Sequence, residues 1–164
     1  MKIFLQDTLR GELVEAIIEE AGKKDMPLKK DGWQFNWKKL NQIEGSLFYK
    51  LTRIKTPKII EGVMMLTLIN DEMLYLNNVE VGPHNYGKDG KYENVAGCLL
   101  AYGCYKSFEL GKNHYLGFLS FDSKTKLIEL YQRKYGAIWA MGQKMFFDPE
   151  SGKNLMKKYL LIDQ

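Results

Sequence analysis

The sequence predicts an α/β (α+β) domain: a mixed, mostly antiparallel sheet with a bulged central strand and helices on both faces. Three observations carry that expectation. Two apolar runs, Leu47–Ile54 and Ile59–Ile69, flank the turn Lys55-Thr56-Pro57-Lys58 and read as an antiparallel pair. After Asn94, helical and extended runs alternate, which calls for helices covering a sheet that is partly parallel. In Leu74–Val81 the apolar positions fall first at Leu74 and Leu76, then at Val79 and Val81. The inward parity slips by one residue near Asn77-Asn78, and a strand of period two slips only through a bulge.

Taken in order, Leu9, Leu13, Val14, Ile17 and Ile18 repeat at helical spacing between Thr8 and Ala21, with Gly22 placed to end an amphipathic first helix. Residues 23–46 are irregular and basic. They hold Trp33, Phe35 and Trp37 in alternation and read equally as a short helix, an edge strand or a loop over a pocket. Pro57 belongs in the turn, because a strand interior has no use for a residue without an N–H. The run Ile59–Ile69 is apolar almost throughout, which requires cover on both faces, and Asn70-Asp71-Glu72 turns the chain into the bulged strand. Asn94 caps a helix running to about Leu110, with Gly111 at its end and apolar residues all round it. His114–Phe121 reads as a strand, Lys124–Tyr135 as a helix, Ile138–Phe147 as a further strand and Ser151–Tyr159 as a short closing helix.

A chain of 164 residues is long enough to bury a core without disulfides or structural metals, so residues 1–164 are expected to form a single domain. Hydrophobic residues make up 45% and aromatics 13%, as in a packed globule. No apolar run approaches the roughly 18 residues of a membrane span, and the start turns polar too soon for a secretory leader. The expectation is therefore a cytoplasmic protein with no membrane partner. Cys98 and Cys104 lie six residues apart in one predicted helix and read as buried thiols. His84 and His114 lack Cys or carboxylate neighbours at ligand spacing, so no metal site is expected. The formal charge of +4 is spread as lysine pairs and gives nucleic-acid binding only weak support. Oligomeric state stays open, with a homodimer as one option.

Three stretches carry a resemblance. Val81-Gly82-Pro83, Asn94-Val95-Ala96-Gly97-Cys98-Leu99-Leu100 and Leu130-Tyr131-Gln132-Arg133-Lys134-Tyr135-Gly136-Ala137 follow one another at helix–strand–helix spacing. Together they resemble the GNAT superfamily of N-acetyltransferases over roughly residues 47–147. The first is similar to the family's V-x-P at the end of its bulged strand, the second to the start of its cofactor-binding helix. The third is similar to its L-Y-x-K-x-G-F/A signature. The chain departs from the pattern at Tyr92-Glu93-Asn94-Val95-Ala96-Gly97, which keeps only the last glycine of the family's pyrophosphate turn. It inserts Tyr86–Lys91 ahead of that turn, and has Lys124 where the family often has asparagine.

The resemblance implies acetyl-CoA as cofactor and direct acetyl transfer to a primary amine, with a small-molecule or peptide acceptor. Transfer of this kind needs a base for the amine, a donor for the tetrahedral oxygen and an acid for the departing thiolate. Tyr131 matches the family's thiolate acid, and its phenol is protonated at neutral pH. Glu80 occupies the bulged strand where some members place a base, and reads equally as a solvated strand-face carboxylate. The backbones of Val79 and Val81 are the expected contacts for the pantetheine arm. An open helix N-terminus holds diphosphate through free N–H groups and the helix dipole, which suits Asn94, Val95, Ala96, Gly97 and Cys98 with Lys91 adding charge. Asp122 or Ser123 is expected to cap the helix that follows, in preference to touching the cofactor. Two further functions compete: a CoA-binding module without turnover, and a toxin-like acetyltransferase acting on aminoacyl-tRNA.

Overall fold

A computed structural model describes residues Met1–Leu161. The residues gather into two compact units, Met1–Met65 with Asn78–Leu99, and Leu66–Asn77 with Leu100 onward. Strands β4 (Thr56–Ile69) and β5 (Met73–Val81) and helix α2 (Val95–Leu110) each contribute to both.

The first unit begins with a hairpin where a helix was expected. Strands β1 (Lys2–Asp7) and β2 (Leu13–Glu20) pair antiparallel, with Leu5 opposite Val14 and Ile3 opposite Ala16. The apolar residues of β2 satisfy two periods at once, and it is the alternation of Ala16 and Ile18 that is used, since both are fully buried while Leu13 is exposed. The turn decides between them. Asp7 Oδ1 accepts from the N–H groups of Leu9 and Arg10, and Gly11 takes a left-handed φ of 69°, so the chain reverses where a helix would have to begin. Leu9 is accordingly left in solvent.

Residues 23–46 resolve into 3-10 turns at Lys23–Asp25 and Lys29–Asp31 and a single helical turn α1 (Trp37–Leu40). Of the alternating aromatics, Trp33 and Trp37 are buried with Met26, Phe48, Val63 and Met65, while Phe35 stays partly exposed. Strand β3 (Ser46–Arg53) leads through Ile54-Lys55 into β4, which already includes Pro57. The turn is thus tighter than expected, and the proline lies at the first residues of the strand. From Glu61 to Leu66 every residue of β4 is buried. Pairing within this unit follows the order β6-β1-β2-β3-β4, where β6 is the two-residue strand Tyr92–Glu93 beside β1.

In the second unit the order is β5-β7-β9-β8, with β5 and β7 parallel and the remaining two pairs antiparallel. Strand β7 (Leu119–Asp122) is half the expected length, because Asn113–Tyr115 forms a 3-10 turn and Gly117 turns left-handed at φ 82°. A Cβ on Gly117 would stand 2.7 Å from the Phe108 ring, so glycine is required there. The expected strand Ile138–Phe147 is in fact a hairpin, β8 (Ile138–Met141) and β9 (Lys144–Phe147), folded at Gly142 with φ 55°. Helix α3 (Ile128–Leu130) continues from a 3-10 turn at Thr125–Leu127 into a π turn at Tyr131–Tyr135, and Gly136 ends it left-handed. Helix α4 (Pro149–Leu160) starts on a capping box between Asp148 and Ser151.

The central hairpin carries the expected irregularity. At its tip the Glu72 N–H donates to the Ile69 carbonyl, and at its base the Gly82 N–H donates to the Glu61 carbonyl. Gly82 lies ten positions after Glu72, but Ile69 lies only eight after Glu61. Between the two bonds β5 therefore holds two residues more than the stretch of β4 beside it, and these are accommodated only by bulging. The alternation of burial in β5 stops at the same place: Leu74 and Leu76 are buried, while every residue from Asn77 to Val81 is half-buried.

Candidate functional site

In the first unit, α2 opens at Asn94, whose φ is 74° and whose carbonyl accepts the Cys98 N–H at 2.9 Å. That bond spends the Cys98 amide and leaves the N–H groups of Val95, Ala96 and Gly97 outside the helical ladder. The side chains there are small, so an anion can approach the backbone closely. Gly62 of β4 sets how near the helix lies. A Cβ at Gly62 would stand 2.8 Å from Val95 Cγ1 and Leu99 Cδ1 and 3.3 Å from the Glu80 carbonyl oxygen, so the first turn of α2 rests directly on β4 beside the backbone of Glu80. Val79 and Val81 flank that residue. Lys91 lies over the Tyr92 ring at 5.5 Å, with the Arg53 guanidinium over the same ring at 5.1 Å.

The Glu80 carboxylate is fully engaged. It accepts from the Gln34 N–H at 2.6 Å, the Phe35 N–H at 3.1 Å and the Trp37 indole N–H at 2.8 Å. Three donors converging on one carboxylate fasten residues 34–37 to β5. Glu80 is thus a clasp for the aromatic segment, a role its outward parity in the sequence did not reveal.

A second carboxylate, unforeseen from sequence, lies deeper. The Glu61 side chain on β4 is 2% exposed, its Oε1 stands 2.6 Å from His84 Nε2, and the Asn85 amide donates to the same oxygen at 2.9 Å. Asn85 also donates to the Glu61 carbonyl and accepts from the Tyr92 N–H, so the loop after Val81 is tied to β4 at several points. Gly82 makes room for the imidazole, since a Cβ there would stand 2.7 Å from His84 Cε1. Gly90 abuts the Asn85 backbone, so the inserted loop closes on the residue just before it. The imidazole faces a cleft of about 590 Å³ whose walls include Lys24, Met26, Asp31, Trp33, Ile59 and Pro83. The sequence signal was a lone acid inside the otherwise apolar run Ile59–Ile69.

In the second unit Tyr131 begins the π turn and packs against Phe121 and Tyr135 at ring-centroid distances of 5.0 and 5.9 Å. Such turns widen a helix locally and often mark functional residues. Burial pushes the Tyr131 phenol above its ordinary pKa, so it is a proton donor throughout the neutral range. Asp122 and Ser123 do not cap the following helix. Asp122 accepts from the Tyr75 hydroxyl at 2.5 Å, Ser123 Oγ donates to the Lys124 carbonyl, and Lys124 itself is the cap residue with no side-chain bond. Burial, reinforced by Asp122, pushes Tyr75 up to about 12.

Burial also pushes the Cys98 thiol up to about 12 and raises that of Cys104 further, which makes both inert. Among the described residues no group of three or more His, Cys, Asp and Glu stands ready for a metal ion, and no helix is long and apolar enough to cross a membrane.

No protein-family profile and no curated protein matches the sequence. Solved structures do match. The KacTA–DNA complex superposes at TM-score 0.63 with 13% identity, covering 87% of this chain and 99% of the other. AtaTR bound with acetyl-CoA matches at TM-score 0.59 and 16% identity, over 86% of this chain and 98% of that one. The chain has the GNAT acetyltransferase fold. Mutant forms of the spermidine/spermine N-acetyltransferase SpeG from Vibrio cholerae share that fold with it at TM-score 0.57 and 12% identity, over 85% and 98% of the two chains.

Proposed function

We propose that this protein is an acetyl-CoA-dependent N-acetyltransferase that passes the acetyl group directly to a primary amine. The observation that carries the reading is the surplus of two residues in β5, beside which Gly62 seats the first turn of α2. A bulged strand has backbone groups outside the ladder, and these suit an extended arm bearing amides of its own. The N–H groups of Val95, Ala96 and Gly97 suit a diphosphate, with Asn94 and Lys91 alongside. Cys98 contributes only a small buried side chain at that end, its amide being spent. When bound, acetyl-CoA supplies an acyl group activated as a thioester. Val79 and Val81 orient the arm through their backbones, and Tyr131 returns a proton to the sulfur. Glu80 holds the segment Gln34–Trp37 in place through its three donors. The likeness to AtaTR, bound with acetyl-CoA, and to the N-acetyltransferase SpeG supports this reading.

A thiol-release assay on a panel of amines, run with calorimetric titration of acetyl-CoA, tests the proposal. Release that depends on amine supports it. Binding without release on any amine would mark a CoA-binding module, and no binding would remove the reading. A second reading rests on residues 23–39, which expose six lysines, Lys23, Lys24, Lys29, Lys30, Lys38 and Lys39, against Asp25 and Asp31. Since Asp25 is paired with Lys50 at 2.7 Å, the stretch suits a polyanionic acceptor such as aminoacyl-tRNA. RNA binding that weakens steeply with salt is expected on that reading, and salt-independent or absent binding excludes it.

A further inference from the structure

Burying an ionised carboxylate is unfavourable unless it is paired, and an apolar strand would gain nothing from one. Glu61 nevertheless occupies the buried stretch of β4, and its partner is a histidine whose side chain is 37% exposed. An ionised carboxylate only accepts hydrogen bonds, so across the 2.6 Å contact an ionised Glu61 requires His84 Nε2 to carry the hydrogen, with the Asn85 amide 3.3 Å from the same nitrogen. The lone pair then lies on Nδ1, the nitrogen not facing Glu61. Asn85 donates to the same carboxylate oxygen, and Gly82 has no side chain to obstruct the ring. A buried acid fixing the tautomer of a histidine at the wall of a cleft is the arrangement of an oriented proton acceptor. The cleft, at about 590 Å³, is of the size that holds a small molecule or one end of a larger one.

We propose that the acceptor amine is seated in this cleft and that His84, oriented by Glu61, takes its proton. The inference rests on the transferase reading above. The ammonium gives one proton to His84 Nδ1, the freed nitrogen pair forms the new C–N bond to the acyl carbon, and the nitrogen then releases a second proton to water to become the neutral amide. The C–S bond breaks with its electrons on sulfur, and the thiolate takes the Tyr131 phenol proton. His84 and Tyr131 exchange protons with water between turnovers. The other charged groups lining the cleft are Lys24, Asp25, Asp31 and Lys38. Glu61 acts through His84 and is a positioning residue.

Two measurements on the full chain test this. The imidazole nitrogens of the unloaded protein, which has two histidines, are read by NMR in alkaline buffer, with His114→Gln assigning the signals. A neutral His84 protonated at Nε2 is expected, and Glu61→Gln should shift the tautomer balance; protonation at Nδ1 overturns the proposal. Separately, His84→Ala should lower kcat/KM for the best amine about 100-fold with acetyl-CoA affinity unchanged, and added imidazole should recover part of the rate. If the wild type transfers acetyl and His84→Ala matches it, the inference falls while the transferase reading stands. If the wild type transfers to no amine, both fall.

Discussion

The half-buried Tyr131 and the two buried cysteines are titratable groups with different consequences for the molecule. Tyr131→Phe keeps the ring stack with Phe121 and Tyr135 and removes only the hydroxyl. Its turnover should drop about tenfold or more with acetyl-CoA affinity nearly unchanged, as stopped-flow and equilibrium titration would register. Equal turnover would take the phenol out of the mechanism. The thiols act on stability. Cys98 titrates at about 12 in the folded chain and Cys104 higher still, against 9.0 unperturbed. The folded state therefore holds protons that the unfolded chain releases, so stability is intact below pH 9 and falls as pH rises from there toward the folded values. The loss is about 1.4 kcal/mol per pH unit for each thiol. Urea unfolding at stepped pH between about 9 and 10, below the range in which the raised phenols of Tyr75 and Tyr131 add to the loss, should give a slope that Cys104→Ser lowers. The buried thiols were legible in the sequence. The Glu61–His84 pair was not, because their joining depends on the loop after Val81 folding back on β4, which no local spacing encodes.

At the scale of elements, the most informative contact is the clasp between Glu80 and residues 34–37. Glu80→Ala would leave two exposed backbone N–H groups to water and the buried Trp37 indole without its acceptor, so a loss of about 1–3 kcal/mol is expected by urea unfolding, with a shift in tryptophan emission. Asp148→Ala should cost about 1 kcal/mol through the lost cap of α4. Runs with one reading were legible: α2, α4, β4 from Ile59 onward and the slip in β5 stand where the residues indicated, although β4 starts earlier, at Thr56. Runs with two readings were not. Leu13–Glu20 fits a helix and a strand alike, and only the Asp7 turn with Gly11 selects the strand. Ile138–Phe147 conceals a hairpin, because Gly142-Gln143 is too short a break to register beside strong flanking apolar residues. Residues 23–46 have no period, and their path is set by Glu80 and by the core under Trp33 and Trp37.

For the molecule as a whole, fold and activity are separate claims. The likeness to acetyltransferases at 12–16% identity establishes the fold, and the bulged β5, the helix terminus on Gly62 and the phenol of Tyr131 motivate the chemistry. The stretch Tyr92–Gly97 departs from the family's glycine pattern, with Val95 standing where that pattern has its first glycine, and Asn94 just before it is left-handed. Calorimetric titration of acetyl-CoA into the wild type and Gly97→Glu tests the central claim most directly. The account predicts saturable binding by the wild type and a loss of at least about tenfold in the variant, whose added negative charge faces the diphosphate. No binding by the wild type, or equal affinity in a folded variant, would contradict it.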